Sequence, residues 1–282
     1  MTGKYIRYNN IMVIISFLRI LLALFHSMGV FFGLFTYLLS ANYRNKTIDN
    51  YKLFCISESI KFKYVDCILN SIEVGKTVSE QLLFLFLTKK TIIKLVKTIK
   101  GIESINDINL SKKNIIFITP HFGCFEIIPL YLSTINPICV MYKKSKFKPV
   151  DFLFKKIRGR SNIETIPANF QGLKKLLKLL KINYFFGLLP DQVPNEGEGE
   201  WAPFFKKQAY TMHLLKKINQ KRNCEYIFCL AKRLKFFGGF ELSFYKGLEN
   251  QGEPKMLNKE IENIIKTEPQ QYLWSYNRYK NP

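Results

Sequence analysis

Asn114-Ile-Ile-Phe-Ile-Thr-Pro-His-Phe-Gly-Cys-Phe-Glu126 is the stretch whose reading decides the fold. Its opening run is apolar without alternation, as in a strand buried on both faces. Pro120 cannot continue a β-ladder and marks the strand's end. His121 therefore stands just past the carboxyl end of a strand, where open α/β sheets place their sites. Three more runs have the same texture: Ile138–Tyr142, Tyr184–Leu189 and Tyr226–Ala231. Val150–Ile157, Phe170–Leu180 and Thr211–Lys221 lie between or beside them and read as helices. This alternation predicts an α/β fold, a mainly parallel sheet covered by helices.

Upstream the character changes. From Ile11 to Ala41 the chain is almost wholly apolar, broken by Arg19, and Leu21 to Ala41 holds no Asp, Glu, Lys or Arg. That length suffices to cross a hydrocarbon core of about 30 Å as a helix, although a helix lying in the interface fits as well. It exceeds the usual apolar region of a signal peptide, and Ser40-Ala41-Asn42-Tyr43 is a poor cleavage site. We therefore expect a membrane-anchor helix, residues 1–45, followed by one catalytic domain, residues 46–282. Residues 47–113 read as mostly helical, including an apolar periodicity over Glu80–Lys97.

Lys and Arg number 43 against 21 Asp and Glu, a formal charge of +22. Such a surplus attracts anionic partners: nucleic acid, anionic lipid or an acidic protein. A general bias toward Lys, Asn and Ile accounts for part of it. No nucleic-acid-binding motif is present, which sets that partner aside. The six cysteines form no Cys-x-x-Cys pair and several sit in apolar runs, so buried reduced thiols are expected.

The chemistry-bearing residues gather at predicted strand ends. His121 has the spacing for a general base, with Glu126 five residues on as a carboxylate to fix its tautomer. The run Leu189-Pro-Asp-Gln192 follows another predicted strand, so Asp191 and Gln192 emerge at the same sheet edge, and Asp191 competes with Glu126 as the histidine's partner. Cys124 reads as a packing residue more readily than as a thiol nucleophile. His26 falls in the apolar helix and His213 on a predicted helix, and neither has metal-type neighbours, so no metal site is expected. Lys155, Lys156, Arg158 and Arg160 form a basic cluster; the guanidinium groups suit phosphate. The acidic loop holding Glu196, Glu198 and Glu200 reads as solvated.

Taken in order, these islands resemble the lipid A late acyltransferases, the lauroyl and myristoyl transferases of the lysophospholipid acyltransferase-like superfamily. The resemblance rests on Thr119-Pro-His-Phe-Gly-Cys-Phe-Glu126, Leu189-Pro-Asp-Gln192, Ala202-Pro-Phe-Phe205 with Ala209 and Thr211, and the ending from Glu268-Pro-Gln-Gln-Tyr-Leu-Trp274 to Pro282. Departures include Cys124-Phe125 where the family has Asn-Trp, Lys206 where it has Gly, and an ending that retains one arginine, Arg278. The resemblance implies a glycerolipid acyltransferase-like fold at the cytoplasmic face of a bacterial inner membrane. It implies acyl transfer from an acyl carrier protein thioester to a hydroxyl of a lipid A precursor, with no further cofactor. His121 would be the base, and backbone N–H groups near Gly123 or the side chain of Gln192 would meet the oxyanion. Arg158 and Arg233, with Arg278 as the retained arginine, would meet acceptor phosphate or acid groups, and anionic membrane lipid would be a further partner. Another membrane lipid as acceptor, or a non-enzymatic basic membrane-binding protein, are the competing readings.

Overall fold

The computed structural model describes residues 2–103, 105, 114–142, 162–222, 224–247 and 252–282, with side chains from Val13 onward. Helices α1 (Thr2–Leu39), α2 (Ala41–Glu58), α3 (Tyr64–Phe86) and α4 (Lys89–Ile93) lead into strands β1 (Val96–Lys100) and β2 (Asn114–Ile118). Helix α5 (Ile127–Leu132), strands β3 (Ile138–Tyr142) and β4 (Ile163–Pro167), helix α6 (Phe170–Lys181) and strand β5 (Phe185–Leu188) follow. The rest is a β6 (Gly199–Phe204) and β7 (Lys207–Met212) hairpin, α7 (Leu214–Asn219), β8 (Cys224–Arg233), β9 (Phe240–Lys246), α8 (Pro254–Thr267) and a short 3₁₀ turn, Pro269–Gln271.

The expected α/β architecture is present. Among the described residues, seven strands form one sheet in the order β1-β9-β8-β2-β5-β3-β4, parallel throughout except for the β8/β9 pair. Strand β2 lies near the centre between β8 and β5, and Ile115–Ile118 are buried. One apolar core fills each side of the sheet. One joins Ile116, Ile118, Phe186 and Phe228 to Leu176, Ile261 and Trp274; the other joins Ile115, Phe117 and Ile227 to Ile127, Leu83 and Phe84. Opposite side-chain direction at successive strand positions explains the division.

Three local expectations are corrected. Thr211 belongs to β7, and the helix expected over Thr211–Lys221 shortens to α7 because Thr211 pairs with Glu200. The periodicity over Glu80–Lys97 divides among α3, α4 and β1, since Thr88 caps a new helix by accepting from the Thr91 N–H. The acidic loop after Gln192 ends in strand β6, with Glu200 inside it. Arg158, the rest of its basic cluster and the helix expected at Val150–Ile157 lie outside the described residues.

Helix α1 packs along α3 in antiparallel fashion: His26 meets Glu80, and Gly29 faces Lys76 and Ser79. Gly33 faces Ser71 and Ile72. A Cβ at Gly75 would stand 2.0 Å from the Gly29 carbonyl oxygen, so only glycine permits this approach. All six cysteines are buried and unpaired.

Candidate active site

Parallel register assembles the site. Strands β2 and β5 pair Ile118 with Leu188, and each then continues through a Pro to a polar residue, Thr119-Pro120-His121 and Leu189-Pro190-Asp191. His121 and Asp191 thus emerge side by side. The imidazole donates from Nδ1 to Asp191 Oδ1 at 2.8 Å, and the backbone N–H of His121 donates to Asp191 Oδ2 at 2.9 Å. Both carboxylate oxygens serve one residue, which fixes ring position and tautomer together. With Nδ1 protonated, Nε2 presents its lone pair, and the Gln192 amide nitrogen lies 3.4 Å away. Phe125 packs against the ring edge-on at 5.0 Å, and the His121 side chain keeps 18% exposure against 3% for Asp191.

Burial alone would raise the Asp191 pKa. The adjoining imidazole and the two hydrogen bonds from His121 outweigh it, so the carboxyl stays below the usual carboxylate range. Behind it lies Tyr272. Its phenol is pushed well up by burial and then by the Asp191 charge, and it remains protonated.

Glu126 does not partner the imidazole, whose two nitrogens go to Asp191 and Gln192. It sits buried at the start of α5, on the wall of a narrow apolar cavity of about 30 Å³ lined by Phe117, Phe125, Pro129, Val140 and Leu188. Spacing along the sequence favoured Glu126, but strand pairing overrides it.

The backbone around Gly123 is tied into the protein. The Gly123 N–H donates to Gln271 O at 2.9 Å, that of Cys124 to Ala231 O at 3.0 Å, and that of Phe122 to Pro120 O at 2.7 Å. These three amides are hydrogen-bonded within the protein. Gly123 has φ +56°, and a Cβ there would stand 2.0 Å from Ala231 O. The glycine serves close backbone approach, which folds the loop back under His121.

Arg233 and Arg278 are both buried and bonded within the protein. Arg233 donates from Nε to Glu80 Oε1 at 2.6 Å and from Nη2 to Glu80 Oε2 at 2.9 Å. Its other bonds reach Glu73, Thr77 and the Gly123 carbonyl. Burial opposes the Glu80 charge, yet Arg233 and the His26 hydrogen bond hold its pKa at about 2. Arg278 donates to Tyr210 O and Thr211 Oγ1, both at 2.7 Å, and tethers the β6/β7 hairpin. Burial, reinforced by Glu80, pushes the Cys124 thiol well above its ordinary value, which removes it as a nucleophile.

The C-terminal segment has a positioning role that sequence reasoning missed. The Leu273 N–H donates to His121 O at 3.1 Å, and Phe122 bridges Tyr272. Asn70 secures the segment by donating to Gln270 O and Tyr272 O at 2.8 and 2.6 Å, as Asn50 does to Trp274 O and Tyr276 O. The ending Gln270-Gln-Tyr-Leu-Trp274 was visible as a motif, but nothing local in it points to His121.

Residues 67–281 match the family described as bacterial lipid A biosynthesis acyltransferases. The chain belongs to this family. Similar proteins include "Lipid A biosynthesis acyltransferase 2" of Shigella flexneri, 21% identical over 183 residues, which cover 62% of this chain and 58% of the relative. The "Lipid A biosynthesis palmitoleoyltransferase" of Escherichia coli (strain K12) is 23% identical over 189 residues, 64% of this chain and 61% of the relative. The chain thus spans about three-fifths of the length of the curated relatives it matches. Within the family match fall His121, Glu126, Asp191, Gln192, Arg233 and the C-terminal clamp.

Proposed function

We propose that this protein is an O-acyltransferase of lipid A biosynthesis, moving a fatty acyl chain from an acyl carrier protein thioester to a hydroxyl of a lipid A precursor. The supporting observation is the clamp of His121 by Asp191, which leaves Nε2 as a base beside Gln192. Nε2 takes the proton of the acceptor hydroxyl as its oxygen attacks the thioester carbonyl. Asp191 stabilises the imidazolium so formed. The Gln192 amide donates to the oxyanion, the role left to it by the occupied amides around Gly123. Collapse expels the carrier thiolate, which recovers the proton from His121. The thioester is already activated, so the reaction needs no further cofactor. The surplus of 43 basic over 21 acidic residues suits an acidic carrier and a phosphorylated acceptor at the cytoplasmic face of the inner membrane.

The test is purified protein with acyl carrier thioester and two acceptors, a phosphorylated glucosamine lipid bearing 3-hydroxyacyl chains and a lysophospholipid. Transfer to the first, abolished in His121→Ala, is expected. Transfer to the lysophospholipid alone overturns the assignment.

A further inference from the structure

Helix α1 carries the long apolar run Val13–Leu39 and has two unlike faces. Leu18, Leu22, His26, Gly29, Gly33 and Tyr37 are buried against the domain. Val13, Phe17, Ile20, Leu24, Phe31, Phe35 and Leu38 are each exposed by more than half. At about 100° per residue the exposed apolar side chains fall within an arc of about 120°, opposite the packed stripe. The packed stripe runs about 28 Å along the helix, nearly the full depth of a hydrocarbon core. A perpendicular crossing would therefore carry the flanking domain into the bilayer with it.

Charge placement argues against that crossing. Arg19, Lys94 and Lys97 surround a cavity of about 210 Å³, together with Ile15, Leu95 and the Gly238-Gly239 turn. All three are exposed and, among the described residues, none has an anionic partner. A span centred on Val13–Leu39 would place these cations at hydrocarbon depth, where each costs several kcal/mol. One shifted to the charge-free Leu21–Ala41 would leave them at its edge but carry the Glu80 and Arg233 pair beside His26 into the bilayer. With the helix in the membrane plane, the three cations lie at headgroup level.

The β8/β9 turn supplies an independent feature. Phe236 and Phe237 adopt φ +53° and +56°, a conformation hairpin turns normally reserve for Asn or Gly. Phe237 packs on His26 of α1, centroids 5.9 Å apart, and Phe236 projects with 95% of its surface exposed beside the exposed Lys235. A strained turn that presents a bare phenyl ring next to an apolar helix face is a device for entering lipid.

We propose that α1 does not cross the membrane but lies in its plane. Its outer arc and Phe236 dip into one leaflet, and the Arg19, Lys94 and Lys97 cavity receives the phosphate of an anionic lipid headgroup. This extends the membrane part of the proposed function and is independent of the acyl-transfer chemistry. Arg233, immediately before this turn, holds the Gly123 carbonyl, so the catalytic loop is anchored directly to the inserted face.

The test adds full-length protein to preformed phosphatidylglycerol vesicles and reads topology without any acyl donor. Single cysteines replace Ser16 and Asn42, near opposite ends of the apolar run; the native thiols are buried. Both positions are expected to react with a membrane-impermeant maleimide added outside. Protection of one end until detergent is added means a span and overturns the proposal. In Phe236→Trp, emission should shift to the blue and be quenched by bromolipids; water-like, unquenched emission also overturns it. Lys94→Gln with Lys97→Gln should weaken phosphatidylglycerol binding at least ~10-fold, with little change on phosphatidylcholine. An equal loss on both lipids would refute the headgroup site. Circular dichroism confirms that each variant is folded.

Discussion

The pairing of His121 with Asp191 uses every acceptor oxygen on one carboxylate, so changing that carboxylate alters ring tautomer and loop position together. Asp191→Asn is expected to lower turnover by ~10² or more while secondary structure is retained, and His121→Ala by at least as much. Steady-state kinetics with the carrier thioester would check both. The proton NMR signal of Nδ1–H in its bond to Asp191 should persist in Glu126→Gln and vanish in Asp191→Asn; the reverse pattern would restore Glu126 as the partner. Gly123→Ala has no strain-free solution, because the backbone is left-handed there and the new methyl would stand 2.0 Å from the Ala231 oxygen. A loss of roughly 2 kcal/mol or more is expected, measured by denaturant unfolding.

At the scale of elements, the His121 loop is held from beneath by the C-terminal segment, and α3 holds that segment through Asn70. Asn70→Ala strips two carbonyls, the part-buried Gln270 O and the buried Tyr272 O, of this donor. A stability loss of about 2–4 kcal/mol is expected, with turnover falling although Asn70 is remote from substrate. A thermal melt and an activity assay on the same sample would decide it, and unchanged turnover would show that the clamp does not set the loop. Elements buried on both faces, such as β2, β3, β5 and β8, were legible because uninterrupted Ile, Phe and Val leave no other reading. Strand β1, Val-Lys-Thr-Ile-Lys, was not, since its lysines also satisfy a helical period. The β6/β7 hairpin hid in a run of Gly, Glu and Pro whose strand character comes from pairing with Lys207–Met212. Likewise the sequence marked His121, Asp191 and Gln192 by their strand ends. It could not rank Asp191 above Glu126, because register between β2 and β5 is a tertiary fact. Arg233 and Arg278 were singled out by the family resemblance, and their internal partners were not legible, because a lone sequence does not reveal which carboxylates and carbonyls will enclose an arginine.

Across the whole molecule, one buried network joins the apolar helix to the site: His26 on α1, Glu80 and Glu73 on α3, Arg233 at the end of β8, and the Gly123 carbonyl. Its charge state should govern acid stability. Glu80 ionises at about 2 in the folded chain against an ordinary 4.5, so its folded pKa is depressed. A depressed carboxylate contributes stability that is fully present above its ordinary value and is lost as pH falls from there through about 2. The shift corresponds to about 3 kcal/mol at neutral pH. Glu80→Gln at pH 7 leaves the Arg233 guanidinium buried without its bidentate anion and should cost about 3–5 kcal/mol. Near pH 2 the wild-type side chain is itself approaching neutrality, and glutamine is then close to isosteric with it. The stability gap between wild type and E80Q should therefore narrow steadily between about pH 5 and pH 2, read from denaturant unfolding in detergent at each pH. A gap that stays constant over that range would mean that Glu80 is not the charge on which the helix, the sheet and the catalytic loop are jointly held.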